Sequence, residues 1–187
     1  MIKVSAFIGI SLDGFIARID GAIDWLTEGD TKVTPGEDFG FSSFLAGIDV
    51  IIMGKKTFEQ VVKFDHWPYK DKKIIVLTSR QINIPHNLSH SVTISNESPN
   101  QLITRLSSQF VSHIYVDGGK VIQSFLSEGL VDEMNTTIVP ILIGKGRSFS
   151  ESIPRDILLH NSKITVSEFG VVQIKYAVIK TDKTTRH

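Results

Sequence analysis

The sequence contains no cysteine. That excludes disulfides, thiolate nucleophiles and cysteine-based zinc sites. It also lacks an excess of either charge, since 20 Lys and Arg balance 20 Asp and Glu in 187 residues. Broad electrostatic binding to nucleic acid or anionic membrane is therefore not expected. No apolar run is long enough to span a bilayer. The apolar N-terminal run, residues 2–10, is short and has neither a basic region nor a small-residue cleavage site. It reads as a buried strand, not a signal peptide, and the expected location is the cytoplasm. Among the histidines only His86 and His90 are four apart, and they sit in a Pro- and Asn-containing loop with no third ligand nearby. No metal site is expected.

What the chain does have is apolar mass. It is 41% hydrophobic with 11 Phe, enough for one sizeable core. A single domain over residues 1–180 is expected, followed by a polar, disordered tail at 181–187. Apolar runs at 2–10, 50–53, 73–77, 92–95, 113–116 and 134–139 read as strands. Residues 39–45, 56–63, 99–110 and 119–127 read as helices, with Ser98 as a helix cap. Residues 163–169 and 171–179 pair naturally as an antiparallel hairpin around Gly170. The alternation predicts an α/β fold, with a mixed, mainly parallel central sheet, helices on both faces and a C-terminal antiparallel hairpin. Residues 11–35 form a long Gly- and Asp-rich loop, a length that usually signals function or motion.

Three segments share one design: a buried strand runs out into small, polar or basic residues. They end in Gly54-Lys55-Lys56-Thr57, in Leu77-Thr78-Ser79-Arg80 and in Asp117-Gly118-Gly119-Lys120. Ligands of open α/β sheets bind at the carboxyl ends of strands. Helix N-termini, close backbone approach at Gly, and Lys or Arg side chains suit phosphate. None of the three is a Walker A or a G-x-G-x-x-G sequence. A fourth segment carries Asp13 in a tight turn. There Asp13 is either an ordinary turn residue that caps backbone N–H groups or a catalytic carboxylate.

Together these segments resemble the dihydrofolate reductase superfamily. Within it they are most similar to the reductase domain of the bifunctional riboflavin-biosynthesis deaminase/reductase and its stand-alone homologues. The matching pieces are SLDGFIA (11–17), DVIIMGKKTFE (49–59), VDGGK (116–120), GLVDE (129–133) and VPILIGKG (139–146), within a likeness that runs over residues 2–179. The resemblance implies a three-layer dihydrofolate-reductase-like fold, NADPH as hydride donor, and a homodimer. It implies that Gly54, Lys55, Lys56 and Thr57 meet phosphate, and that Leu77, Thr78, Ser79 and Arg80 flank the adenosine and its 2′-phosphate. Gly118, Gly119, Lys120, Val121 and Ile122 would line the pyrophosphate and nicotinamide ribose, and Gly9, Ile16 and Ala17 would border the nicotinamide. The family usually has Arg where Lys55 stands, and Lys lacks the bidentate fork.

For the chemistry, the resemblance points to Asp38 as an acid of raised pKa, or else as a helix cap. Asp13 is the alternative polar anchor. Thr137 corresponds to a substrate-supporting hydroxyl, or else is a strand former. Trp25 either stacks on a flat ring or anchors the loop. Asp132 and Glu133 are expected to face solvent, and residues 69–73 to be a charged loop without chemistry. The expected reaction is hydride transfer to a C=N or C=O carbon of a ribosylaminopyrimidine. The alternatives are a dihydrofolate or pterin reductase and, from another class, a non-catalytic NADP-binding module.

Overall fold

Ile51, Ile52, Met53, Ile74 and Val76 are fully buried, so the strands that carry them read as apolar on both faces. They belong to β3 (Val50–Gly54) and β4 (Lys73–Leu77), near the middle of an eight-stranded sheet. The computed structural model describes residues 2–27, 38–151, 153–167 and 169–180. Its other strands are β1 (Lys3–Ser11), β2 (Phe15–Ala17), β5 (Val92–Ser95), β6 (His113–Asp117), β7 (Glu133–Val139), β8 (Arg147–Ser148), β9 (Leu159–Val166) and β10 (Val172–Val178). Five α-helices accompany them: α1 (Asp24–Thr27), α2 (Phe41–Ala46), α3 (Lys55–Val61), α4 (Pro99–Ser107) and α5 (Gly119–Ser127).

The sheet order is β5-β4-β3-β6-β1-β7-β10-β9. Every neighbour pair from β5 to β7 is parallel, and β10 then runs antiparallel to both β7 and β9. The carboxyl ends of six strands consequently emerge along one edge. Leu102 and Leu106 of α4 and Ile122, Phe125 and Leu126 of α5 pack on one face, against Ala6, Ile114 and Val116. Leu45 of α2 and Phe58 and Val61 of α3 pack on the other, against Ile51, Met53, Ile74 and Tyr115. The α/β architecture expected from the sequence is the one observed.

The differences are local. Helix α2 starts at Phe41, not at residue 39, because Phe39 (φ 51°) and Gly40 (φ 78°) both adopt left-handed conformations. Helix α4 starts as expected, with Pro99 in its first turn and a reciprocal Ser98–Gln101 capping box. It stops at Ser107, short of residue 110. The Ser107 and Ser108 hydroxyls bond to backbone carbonyls of the last turn, and Phe110 turns left-handed (φ 61°). The hairpin begins earlier than expected, and a bulge interrupts it between Lys175 and Tyr176. Strand β8, which the sequence did not announce, pairs with β2. Glu133 is not a solvent-facing residue. Its side chain is 13% exposed and is held by Lys3 and Lys175, each at 2.9 Å. Asp132 accepts the Val4 N–H at 2.8 Å and pairs with Lys180. The expected tail and most of the second half of the long loop lie outside the described residues.

Candidate functional site

Because β4, β3, β6 and β1 are neighbours in the sheet, the segments singled out in the sequence come together at its edge. Gly54 is paired with Leu77 in the β3–β4 register, and the Thr78 N–H donates to Ser95 O at 2.9 Å. The Lys55 ammonium bridges the first two segments, donating to Gln81 O at 3.2 Å, and lies 3.5 Å from Glu59. The Thr78 hydroxyl accepts the Arg80 N–H at 3.0 Å and shapes the turn that leaves Ser79 and Arg80 exposed. Lys56 and Lys120 are likewise exposed on this rim.

At the turn from β6 into α5, Gly118 is held in a conformation that a side chain would strain. Gly118 has φ 84° and ψ 138°, and a Cβ there would collide with Thr57 Oγ1. A Cβ on Gly119 would collide with Ile16 Cδ1. Both glycines thus let backbone approach closely, and they draw Thr57 and Ile16 onto the same loop. Val121 and Ile122 follow in the first turn of α5. Their side chains are core, at 6% and 0% exposure, and the Ile122 N–H is bonded to Gly118 O at 3.0 Å, so what this pair offers the rim is the Val121 backbone. On the far side Ala17 is buried against Gly146, and Gly9 lies beneath Leu26, whose Cδ1 would stand 3.0 Å from a Cβ there.

These donors suit a dinucleotide. Cations lie along three strand ends, and first-turn N–H groups follow the Gly118–Gly119 turn. Among the described residues no group of three or more His, Asp or Glu could hold a metal ion. A cavity of about 450 Å³ exists, but it opens elsewhere, between Leu126, Met134, Phe149, Ile153, Ile157 and Leu159.

The residues named for chemistry fall in different places. Asp38 is exposed and accepts the N–H groups of Gly40 and Ser42, each at 2.8 Å. The Ser42 hydroxyl and these N–H groups hold its carboxyl below the ordinary range, the opposite of the direction an acid requires. It caps α2. Asp13 is also exposed, and its carboxylate accepts the Ser11 hydroxyl at 2.6 Å, the Gly144 N–H at 2.7 Å and the Ile143 N–H at 3.3 Å. These bonds, the Ser11 hydroxyl foremost, also lower its pKa. Trp25 is 2% exposed and offers no open face for stacking; it anchors its loop. Thr137 is 3% exposed, opposite Gly9 on β1 and Gln173 on β10, and its Oγ1 accepts from Gln173 Nε2 at 3.4 Å.

One acidic residue is named in the sequence only as part of the third strand-end segment, with no chemical role assigned to it. Asp117 ends β6, immediately before the Gly118 turn, and its side chain is on the aromatic face of the sheet. The Tyr69 hydroxyl donates to its Oδ2 at 2.6 Å, and the Tyr115 hydroxyl also reaches it. The residue keeps some exposed surface, but its carboxyl group is enclosed, and burial raises its pKa despite the donors around it. Burial likewise pushes both tyrosines well above the usual phenol range. Residues 69–73 are therefore not merely a charged loop. The period-two pattern of β6 places His113, Tyr115 and Asp117 on one face, but it does not show the enclosure, which depends on Tyr69 from another segment.

Fold and site together define a dihydrofolate-reductase-like α/β domain with a basic, glycine-containing rim at its strand ends. The chain belongs to the RibD C-terminal domain family, which matches residues 2–172. Its relatives include the uncharacterized protein YwjB of Bacillus subtilis (strain 168), 35% identical over 77% of this chain and 80% of the relative. A Shewanella sp. PV-4 structure described as a riboflavin biosynthesis protein superposes with a TM-score of 0.87 at 30% identity, covering 96% of this chain and 100% of that one. The deaminase/5-amino-6-(5-phosphoribosylamino)uracil reductase of Thermotoga maritima shares the fold, with a TM-score of 0.69 at 15% identity over 94% of this chain and 56% of its own.

Proposed function

We propose that this protein is an NADPH-dependent reductase acting on a ribosylaminopyrimidine or a closely related sugar-linked heterocycle. The observation that carries this reading is a buried carboxyl of raised pKa, Asp117, set directly before the Gly118–Gly119 turn. When bound, reduced nicotinamide supplies a hydride. The reaction's other demand, a proton at the nitrogen or oxygen of the reduced double bond, falls on the protein. Asp117 meets it, because burial makes it hold its proton to higher pH than an exposed carboxyl would.

In this reading Lys55, Lys56, Thr57, Ser79, Arg80 and Lys120 hold the phosphates and the adenosine end. The backbone at Gly118, Gly119 and Val121 receives the pyrophosphate, Ile122 supports the turn from behind with its N–H bonded to Gly118 O, and Gly9, Ile16 and Ala17 border the nicotinamide. Thr137 is buried and supports the substrate side only through Gln173, whose amide donates to it at 3.4 Å. Asp13 and Asp38 position loops. A pterin reductase is disfavoured because Asp38, the acid that reading needs, is committed to capping α2. The protein acts as a homodimer, and the exposed strand β9 is the surface we assign to the second copy.

The test is oxidation of NADPH by purified protein with 5-amino-6-(5-phosphoribosylamino)uracil, against dihydrofolate as control. Turnover with the first and not the second is expected, with Asp117→Asn slowed about 100-fold or more. A protein whose melting temperature NADPH does not raise, even far above micromolar concentrations, would sink both this reading and that of a non-catalytic NADP-binding module.

A further inference from the structure

The two tyrosines that reach Asp117 are not equivalent. The Tyr115 hydroxyl is shared, since it donates toward the Phe7 carbonyl at 3.2 Å as well as reaching Asp117. Tyr69, from the segment between α3 and β4, gives its proton to Asp117 Oδ2 at 2.6 Å. Its ring cannot swing away. It is 3% exposed, edge-on to Trp67 at 5.3 Å and to Phe41 at 6.4 Å. A phenol locked in this way ties down one carboxyl oxygen, Oδ2.

We propose that Tyr69 is a positioning residue for the reduction, aiming the Asp117 carboxyl beside the Gly118–Gly119 turn through its 2.6 Å hydrogen bond. This rests on the reading of Asp117 as the acid. The groups that act on the carboxyl are Tyr69, Tyr115 and the Gly118 N–H, and no charged side chain is among them. Its neighbour across the sheet, Met53 of β3, is apolar. The Tyr69 bond favours the ionised form and so opposes the effect of burial. Removing it must raise the protonation midpoint further.

The experiment is an infrared pH titration of the unliganded protein, following the C=O band of protonated Asp117, assigned by its loss in Asp117→Asn. Tyr69→Phe is expected to move the midpoint up by roughly half to one pH unit. The alkaline limb of single-turnover reduction should move with it. At low pH, where both proteins are protonated, kcat should fall about tenfold with KM nearly unchanged, as expected when a transition-state contact is lost. A midpoint that does not move in Tyr69→Phe overturns the proposal. If Asp117→Asn abolishes turnover in that case, the acid reading survives alone. Full turnover in Asp117→Asn defeats the acid reading itself. If Tyr69→Phe does not fold, fluorotyrosine incorporated at position 69 replaces it. As a stronger donor it must lower the midpoint, and an unmoved midpoint again overturns the proposal.

Discussion

The Asp13 carboxylate accepts the Gly144 N–H at 2.7 Å, joining turns that lie 131 residues apart. With the Ser11 hydroxyl and the Ile143 N–H, this bond fastens the start of the long loop to the segment that leads into β8. The loop is further closed by the fork of Arg18 on Asp24 at 2.7 Å. Asp13→Ala should lower Tm by a few degrees and weaken NADPH binding, while leaving the pH dependence of turnover unchanged. A lowered pKa contributes stability above the unfolded-state carboxyl range and loses it as pH falls. The Tm difference from wild type should therefore shrink in acid. An altered pH–rate profile in Asp13→Ala would instead give Asp13 a role in proton transfer.

Gly118 is confined twice, by its φ of 84° and by Thr57 Oγ1. Gly118→Ala should weaken NADPH at least tenfold, by backbone strain and by displacement of Thr57. Adding Thr57→Ala removes the hydroxyl but not the strain, so the double variant should recover only part of the loss. Titration calorimetry decides this. Unchanged affinity in Gly118→Ala would remove the turn from the cofactor site.

The legible parts of this molecule are those fixed by local chemistry. The strands around Ile51–Met53 and Ile74–Val76 were readable because both faces are buried, and the start of α4 because Ser98, Pro99 and Gln101 supply a cap. The hairpin register was not readable. Every residue of β9 is exposed, so no alternation marks which residues face inward. The phosphate-type rim could be inferred because strand, glycine and helix follow one another in sequence. The acid could not, because the enclosure of Asp117 depends on Tyr69, 48 residues away. Asp38 was ambiguous for the converse reason, since the same residue type at the same spacing serves as an acid in a pocket and as a cap at a helix start.

Lys55 stands beside the rim with its charge shared between Glu59 and Gln81 O. If it reads the 2′-phosphate, Lys55→Ala should weaken NADPH about tenfold and NADH hardly at all. Glu59→Gln frees the ammonium and should tighten NADPH by roughly two- to threefold at low salt, an effect that fades as salt screens it. Equal losses for both cofactors in Lys55→Ala would assign the 2′-phosphate to another cation, with Arg80 the first candidate.

Glu97 fastens the end of β5 to α4. Arg105 grips it from Nε at 2.9 Å and from Nη2 at 2.7 Å, and Ser95 Oγ donates to it at 2.7 Å. Arg105 above all lowers its pKa from the ordinary 4.5 to about 2. Because the folded-state value is depressed, the stabilisation is complete above the unfolded value and is lost as pH falls toward about 2. The pair is partly exposed, so Glu97→Gln should cost only about 0.5–1 kcal/mol near neutrality. Thermal melts of the two proteins should converge in strong acid. A constant gap across the acid range would mean that packing, not charge, holds this corner.

Strand β9 leaves Leu159, Ile164 and Val166 at 40%, 55% and 65% exposure on an edge that has no partner strand among the described residues. Ile164 and Val166 stand opposite Ile174 and Val172, so they share one sheet face, and alternation sends Lys163 and Thr165 to the other. An edge with apolar side chains and free backbone groups invites a partner strand, and two copies can satisfy each other about a two-fold axis. Ile164→Lys with Val166→Lys places charge where such a partner would pack. Sedimentation should show a wild-type dimer at micromolar concentration and a monomeric double variant. NADPH should still bind that monomer, because the rim draws on β1, β3, β4 and β6. A wild-type monomer, or a double variant that still dimerises, would move the second copy off this strand.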